Sequence, residues 1–391
     1  MTLKLLVIAE GYPWGDNLAG VFHREQFRLM AAVGLDVTVV GPTPWVPPFL
    51  VNRNRRWRQY AEAPRRQQEN GVTIRRPRYL ALPRENALFY PDVAQYLAVS
   101  VMSLPRPDVI QAFFALPHGA VARRLSQRWG VPYAVGMLGD DVNIYPHHNT
   151  RSRNLLTDVV RDAAWAFANG PTLAATATQL TGIDVEALSI GAARGRFANL
   201  PSREEARRQL GWPQERFIAL YVGALIPTKG IDELIAAADL VKNEEITIAA
   251  VGDGQLRGEL ERRSNAVCLG VRPASDVTAA MAAADVLVHP SHYEGLPTAL
   301  VEAAFARLPI ITTDAPGCVD LARDGRGVMV PVGDAQALAG ALRQAKSNRE
   351  AGWQHAELMF QHACAHYDIE VNTNRLIEKY QALAVSSYRS Q

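Results

Sequence analysis

Two successive series of alternating strand-like and helix-like segments constrain this chain more than any other feature. The first has short, apolar, β-branched runs at 3–9, 36–41, 72–76, 108–112, 132–137 and 164–168, with helix-like stretches at 21–33, 118–129, 153–163 and 171–181. The second has runs near 216–222, 246–251, 266–269, 284–289, 309–312 and 328–330, with helix-like stretches near 230–241, 254–264, 275–283, 297–307 and 334–346. Short apolar runs closed by Gly or Pro read as buried strands. Strands separated by helices pair in parallel, because a parallel pair needs a long crossover. The expected fold class is therefore α/β: two Rossmann-like, doubly wound domains facing a cleft. At roughly 150 residues per domain, 391 residues suit two. The join falls within 182–200, where Gly182, Gly191, Ala192, Ala193 and Gly195 interrupt the pattern. A last helix is expected over roughly 366–388.

Composition excludes several classes. No apolar run approaches the ~18 residues that would suggest a membrane span. Leu3–Ala9 is short and followed by Glu10, so it reads as a first strand and not as a signal peptide. Cys268, Cys318 and Cys364 lack metal-ligand spacing, and three cysteines suit a reducing cytoplasm. No metal site is expected. The net charge of +2 is unevenly spread: nine arginines (53, 55, 56, 58, 65, 66, 75, 76 and 78) crowd 51–78, near Trp45, Phe49, Trp57 and Tyr60. Arg55, Arg56, Trp57 and Arg58 are the centre of a patch that suits an anionic membrane surface or a phosphorylated lipid acceptor. A solvated loop-helix is the other reading. No nucleic-acid motif accompanies the patch.

The chemistry concentrates at strand ends. Asp285–Pro290 reads as a buried strand, followed by Ser-His-Tyr-Glu294-Gly295-Leu296-Pro297-Thr298 and a helix reaching past Glu302. Pro297 suits a first helical position, where a missing N–H costs nothing. The amides of 295–298 would then form an anion site. From Leu296 to Ala306 only Thr298 and Glu302 are polar, and at 100° per residue they share a face. A carboxylate on so apolar a helix needs partners, and ribose hydroxyls would serve. A helix-start carboxylate and an ion-paired glutamate are the plainer alternatives.

Gly223-Ala-Leu-Ile-Pro-Thr-Lys229-Gly230 also follows a strand, and Lys229 there can neutralise a diphosphate leaving group. Gly252-Asp-Gly254 closes another strand. The first strand runs into a glycine-rich loop, Gly11 to Gly20, that does not match a dinucleotide fingerprint. In the first half, Gly136-Met-Leu138-Gly139-Asp140-Asp141 follows a strand, and His118 is a candidate pocket residue or a packing histidine.

Taken in order, Gly223…Lys229, Gly252…Gly254 and Glu294…Glu302 resemble the retaining glycosyltransferases of family 4, which have the GT-B fold. The resemblance is strong over 217–331 and covers most of the chain. It implies an acceptor-side domain over 1–183, with a C-terminal helix (366–391) packing back on it, and a nucleotide-sugar domain over 184–365. It implies that Glu302 binds the donor ribose, that Glu294 lies near the donor sugar, and that Lys229 and the Gly295, Leu296, Pro297, Thr298 turn meet the diphosphate. Gly20, Gly223, Gly252 and Gly254 would line the donor. Lys229, Glu294 and Asp141 are the candidate catalytic residues, and Arg55, Arg56, Trp57, Arg58 and His118 the acceptor or membrane side. Two positions depart from the pattern. Ala224 stands where an Arg is usual, with Arg272 as a substitute, and Leu138 stands where a His is usual.

The resulting expectation is a metal-independent, retaining hexosyltransferase of the cytoplasm or the inner face of the membrane, without a cofactor. It takes a UDP- or GDP-sugar and a glycan or lipid-linked acceptor, in cell-surface polysaccharide synthesis. The alternatives are a nucleotide-sugar epimerase on the same scaffold and a non-catalytic nucleotide-sugar-binding partner.

Overall fold

The computed structural model describes residues 2–9, 11–15, 21–53, 55–79, 101 and 103–389. Two compact units divide the chain: residues 1–190 with 369–391, and residues 191–368.

The first unit is built on an eight-stranded sheet. Its strands are β1 (Lys4–Ile8), β2 (Asp36–Val40), β3 (Arg66–Glu69), β4 (Val72–Arg75), β5 (Val109–Phe113), β6 (Tyr133–Met137), β7 (Trp165–Ala168) and β8 (Glu186–Ala187). They lie in the order β8-β7-β6-β5-β1-β2-β4-β3, and all neighbours are parallel except the β3–β4 pair. β5 and β6 are buried at every position, which is why they read as mostly apolar runs without alternation, Gln111 being the polar exception. β3 was not expected, because Arg-Gln-Gln-Glu is a polar edge strand with no buried face to announce it. Helix α1 (Val21–Ala32) follows β1, and α2 (Arg55–Glu62) carries no buried residue at all. The final helix, Ile369–Arg389, packs on this unit: the Tyr380 hydroxyl donates to Gln111 Oε1 (2.9 Å), and Lys379 pairs with Glu186 (2.8 Å).

The second unit holds six parallel strands: β9 (Phe217–Val222), β10 (Ile246–Val251), β11 (Ala266–Gly270), β12 (Val286–His289), β13 (Ile310–Thr313) and β14 (Val328–Val330). Their spatial order is β11-β10-β9-β12-β13-β14. Small residues let the helices sit close: Ala237, Ala238, Ala303 and Ala304 are fully buried against the sheet. One buried charge cluster anchors the start of β12. Asp285 accepts from Arg203 and Arg207 (2.6 Å each) and from the Ile218 amide (2.7 Å), so the carboxylate is both paired and hydrogen-bonded. Arg194 reaches Asp368 (3.1 Å), where Ala192 and Asp368 form a bridge.

No helix among the described residues is long and apolar enough to cross a membrane.

Candidate active site

The strand order of the second unit reverses at β9, whose two neighbours are β10 and β12. In open parallel sheets such a switch point leaves a crevice at the carboxyl ends of the strands, where ligands bind. Three loops meet there by backbone contact. A Cβ on Gly252 would fall 1.8 Å from the Gly223 carbonyl oxygen, and the residue has φ 141°. A Cβ on Gly230 would fall 1.9 Å from the Pro290 carbonyl oxygen. No side chain fits at either position, so glycine brings the loops after β9, β10 and β12 together. A Cβ on Gly254 would fall 2.3 Å from the Leu225 carbonyl oxygen, and Gly223 packs on the Tyr221 hydroxyl.

Lys229 ends a short turn, Pro227–Lys229, and its ammonium reaches Glu294 Oε1 at 2.6 Å. His289, the last residue of β12, places Nε2 3.0 Å from the same oxygen. Burial alone would raise the Glu294 carboxyl. The hydrogen bond and charge of His289, with the charge of Lys229, outweigh burial and hold it at about 2. Glu294 is therefore an anion at any working pH, with two donors. His289 is 4% exposed, and the Tyr221 ring lies parallel to it at 6.3 Å. Its Nδ1 has no partner among the described residues. Sequence reasoning passed over His289, because a histidine closing a buried strand looks like any strand residue until the turn folds Glu294 back onto it.

Glu302 sits on the helix Thr298–Phe305, and its Oε1 accepts from Arg196 Nη1 at 2.5 Å. Arg196 also donates through Nη2 to the Ala274 carbonyl (3.1 Å) and Thr278 Oγ1 (3.3 Å). The guanidinium thus ties Glu302 to the segment after β11. No local pattern announces this pairing: Arg196 is 106 positions away, in the stretch that reads as a domain join. Arg272, expected to replace the arm lost at Ala224, is exposed and forms no ion pair with the described residues. Ala224 is exposed too, and its carbonyl accepts the Tyr221 hydroxyl (2.8 Å).

The turn between Glu294 and the helix differs from expectation by one residue. The helix begins at Thr298, and Pro297 is its N-cap, not its first helical residue. Proline has no N–H, so this turn offers the amides of Gly295, Leu296 and Thr298. None of these has a protein acceptor among the described residues. The Glu294 amide is already used, donating to the Pro316 carbonyl (3.1 Å).

In the first unit the expected side chains are more enclosed than their sequence context suggested. Asp141 has no exposed surface, and its carboxylate accepts from the amides of Ala115 (2.7 Å), Leu138 (3.1 Å) and Gly139 (3.0 Å). Burial pushes its carboxyl up and the amides pull it back, leaving it at about 6. The group organises the loops after β5 and β6 instead of offering a free carboxylate. His118 is buried, with Nδ1 2.9 Å from the Phe113 carbonyl, and burial lowers it to about 4. It is a neutral packing histidine. Gly20 lies outside the described residues. Eight of the nine arginines of 51–78 fall into two groups. Arg76 is 2% exposed and donates to the Tyr12, Pro13 and Pro64 carbonyls, and Arg78 donates to the Ala63 carbonyl. Those two hold the fold, whereas Arg53, Arg55, Arg56, Arg58, Arg65 and Arg66 are exposed.

Comparison with known proteins decides the family. Residues 202–357 match the family of group 1 glycosyl transferases, and residues 19–223 match the glycosyl transferase 4-like domain. This chain belongs to the family-4 glycosyltransferases. It is 31% identical, over 98% of its length and 100% of the relative's, to TuaC of Bacillus subtilis, a glycosyltransferase named for teichuronic acid biosynthesis. It is 34% identical, over 36% of each chain, to a GDP-mannose-dependent alpha-mannosyltransferase of Mycobacterium tuberculosis. Among solved structures, the sucrose-phosphate synthase of Thermosynechococcus elongatus superposes with a TM-score of 0.80 at 18% identity, over 98% of this chain and all of that one. Anabaena HepE in complex with UDP-glucose superposes at 0.69 with 18% identity, over 97% and 100%. At such identities the likeness is one of fold, and the glycosyltransferase has the GT-B fold.

Proposed function

We propose that this glycosyltransferase moves a sugar from a UDP- or GDP-sugar to a hydroxyl of a glycan or lipid-linked acceptor, with retention and without a metal ion. The observation that carries this reading is the grouping of Lys229, Glu294 and the amides of 295, 296 and 298 at the switch point. A cation and open amides suit a diphosphate, and a carboxylate pinned beside them suits sugar hydroxyls. When the diphosphate takes Lys229, Glu294 keeps His289 as a donor. In transfer, the bond from the anomeric carbon to the leaving diphosphate breaks. The acceptor oxygen bonds to the same face, and its proton passes to the departing phosphate oxygen. The protein supplies orientation and charge stabilisation. Glu302, held by Arg196 through one oxygen, keeps the other for ribose. The likeness to TuaC supports a place in cell-surface polysaccharide synthesis. The relatives name GDP-mannose and the structural neighbours hold UDP, so both nucleotides are tested.

Calorimetry of UDP and GDP against the metal-free protein tests the reading. Saturable 1:1 binding of one of them is expected, and absence of binding by both would remove the donor assignment.

The acceptor side includes a membrane-facing surface in the same proposal. Phe49 is 84% exposed and Trp45 49%, beside the exposed arginines of 53–58. Apolar side chains flanked by cations suit an anionic bilayer surface. Co-sedimentation with phosphatidylglycerol vesicles is expected to succeed at low salt, to weaken as salt rises, and to fail with phosphatidylcholine. Replacing Arg53, Arg55 and Arg58 by Glu is expected to abolish it. Equal binding to both vesicle types would count against the surface.

A further inference from the structure

The first unit carries a cavity of about 370 Å³ that the reading above leaves unused. Trp14, Gly15, Gln59, Glu62, Pro64 and Gln67 line it. Trp14 follows β1, while Gln59 and Glu62 lie one turn apart on α2 and so share a face.

Trp14 is unusually well fixed for a partly exposed side chain. Its Nε1 donates to the Gln59 carbonyl (3.2 Å), and the Arg76 guanidinium lies over the indole, 4.9 Å from its centre. Arg76 is in turn clamped by three carbonyls and by Gln67 Oε1 at 2.7 Å. The indole is thus a rigid apolar plate, ordered before any ligand arrives.

The lining selects by chemistry. Among the described residues no Lys or Arg lines it, and the Glu62 carboxylate disfavours a phosphate or any other acidic ligand. Among the described lining residues only Trp14 and Pro64 are apolar and large, too few for an acyl chain. Gln67 is occupied through Oε1 by Arg76 and through Nε2 by Glu69 (2.9 Å). The Gln59 amide and the Glu62 carboxylate remain to read polar groups. One flat apolar plate facing an amide and a carboxylate suits a ring with one C–H face and several hydroxyls. We infer that this cavity binds an uncharged pyranose, its C–H face on Trp14 and its hydroxyls donating to Glu62 and the Gln59 side chain. That this ring belongs to the sugar acceptor rests on the glycosyltransferase reading; that a sugar binds here does not.

Saturation-transfer NMR on the full chain tests it, with methyl glucoside, methyl galactoside and methyl glucuronide as probes. Transfer to the ring C–H protons of a neutral glycoside is expected, with at least a tenfold weaker response for the glucuronide. Glu62→Ala and Gln59→Ala alter exposed or half-exposed positions on α2, and each is expected to weaken the neutral sugar severalfold. Trp14→Ala is expected to abolish its signal. UDP and GDP binding measured on the same samples is expected to be unchanged. No transfer to either neutral glycoside, an equal response to the glucuronide, or a signal unaltered in Glu62→Ala and Trp14→Ala would each overturn the inference. Absence of the sugar signal in the wild type, with intact nucleotide binding, sinks this inference alone. Absent nucleotide binding in the wild type sinks the donor reading instead.

Discussion

Lys229→Ala is expected to lower the turnover of sugar transfer by about 10²–10³-fold, the range found when one donor aimed at developing charge is removed. The physical reason is specific to this chain. On the proposed reading, exposed Ala224 supplies no second cation, so Lys229 would neutralise the leaving diphosphate with only the amides of the 295–298 turn to help. The substitution also leaves the Glu294 carboxylate, whose side chain is 13% exposed, with His289 as its one remaining partner among the described residues. A modest loss of thermal stability, about 1–3 kcal/mol, is therefore expected beside the kinetic effect. Steady-state transfer assays with a melting curve on the same sample separate the two. Turnover within threefold of wild type, in a folded variant, would move the diphosphate away from Lys229.

Glu302→Ala is expected to weaken nucleotide binding at least tenfold, about 1.4 kcal/mol. Arg196→Ala is expected to cause a smaller loss of the same kind. Arg196 fixes one carboxylate oxygen of Glu302 and reaches Ala274 and Thr278 with its other nitrogen, so its removal frees a glutamate that then loses rotamer entropy on binding. The two substitutions act through one contact. The double variant is accordingly expected to bind no more weakly than Glu302→Ala alone, a coupling in the range of about 0.5–3 kcal/mol. Arg196→Lys is not expected to restore binding, because an ammonium cannot span the three acceptors that the planar fork meets. Calorimetry with 2′-deoxy nucleotides adds the readout that a merely structural arginine would not move. If Glu302 reads ribose, removing the hydroxyl should cost wild type more than it costs Glu302→Ala. Equal costs would take the ribose away from Glu302.

Much of the architecture was legible because the relevant signals are local. β9, β10, β12 and β14 appear within two residues of the apolar runs that announced them, and the helix Pro171–Thr181 has the bounds that its proline and glycine neighbours set. The elements that escaped notice have no such signature. β3 is a polar edge, and the helix Arg203–Leu210 carries six charged or amide side chains on eight positions, so its apolar stripe is too thin to show a period. Its capping box, Ser202 with Glu205, was the readable signal.

The site divides in the same way. The residue types at the strand ends, and the need of Glu302 for a partner, follow from the sequence, since turn chemistry and burial are set by neighbours a few positions apart. Which partner answers each need was decided by the sheet order. Crossing from β9 to β12 brings Lys229 across 65 positions to Glu294, and the start of the second unit brings Arg196 to Glu302. In the first unit, tertiary packing buried Asp141 against three amides, turned Arg76 from a patch residue into the clamp behind Trp14, and opened the cavity beside it. The sequence by itself determined which backbone positions must be glycine-tight, which segments must be buried, and which charges stand where the strands end. Only the tertiary structure decided which charges meet, because a charge pair is a matter of distance through space, and the pattern along a chain carries that distance only for residues within a turn or two.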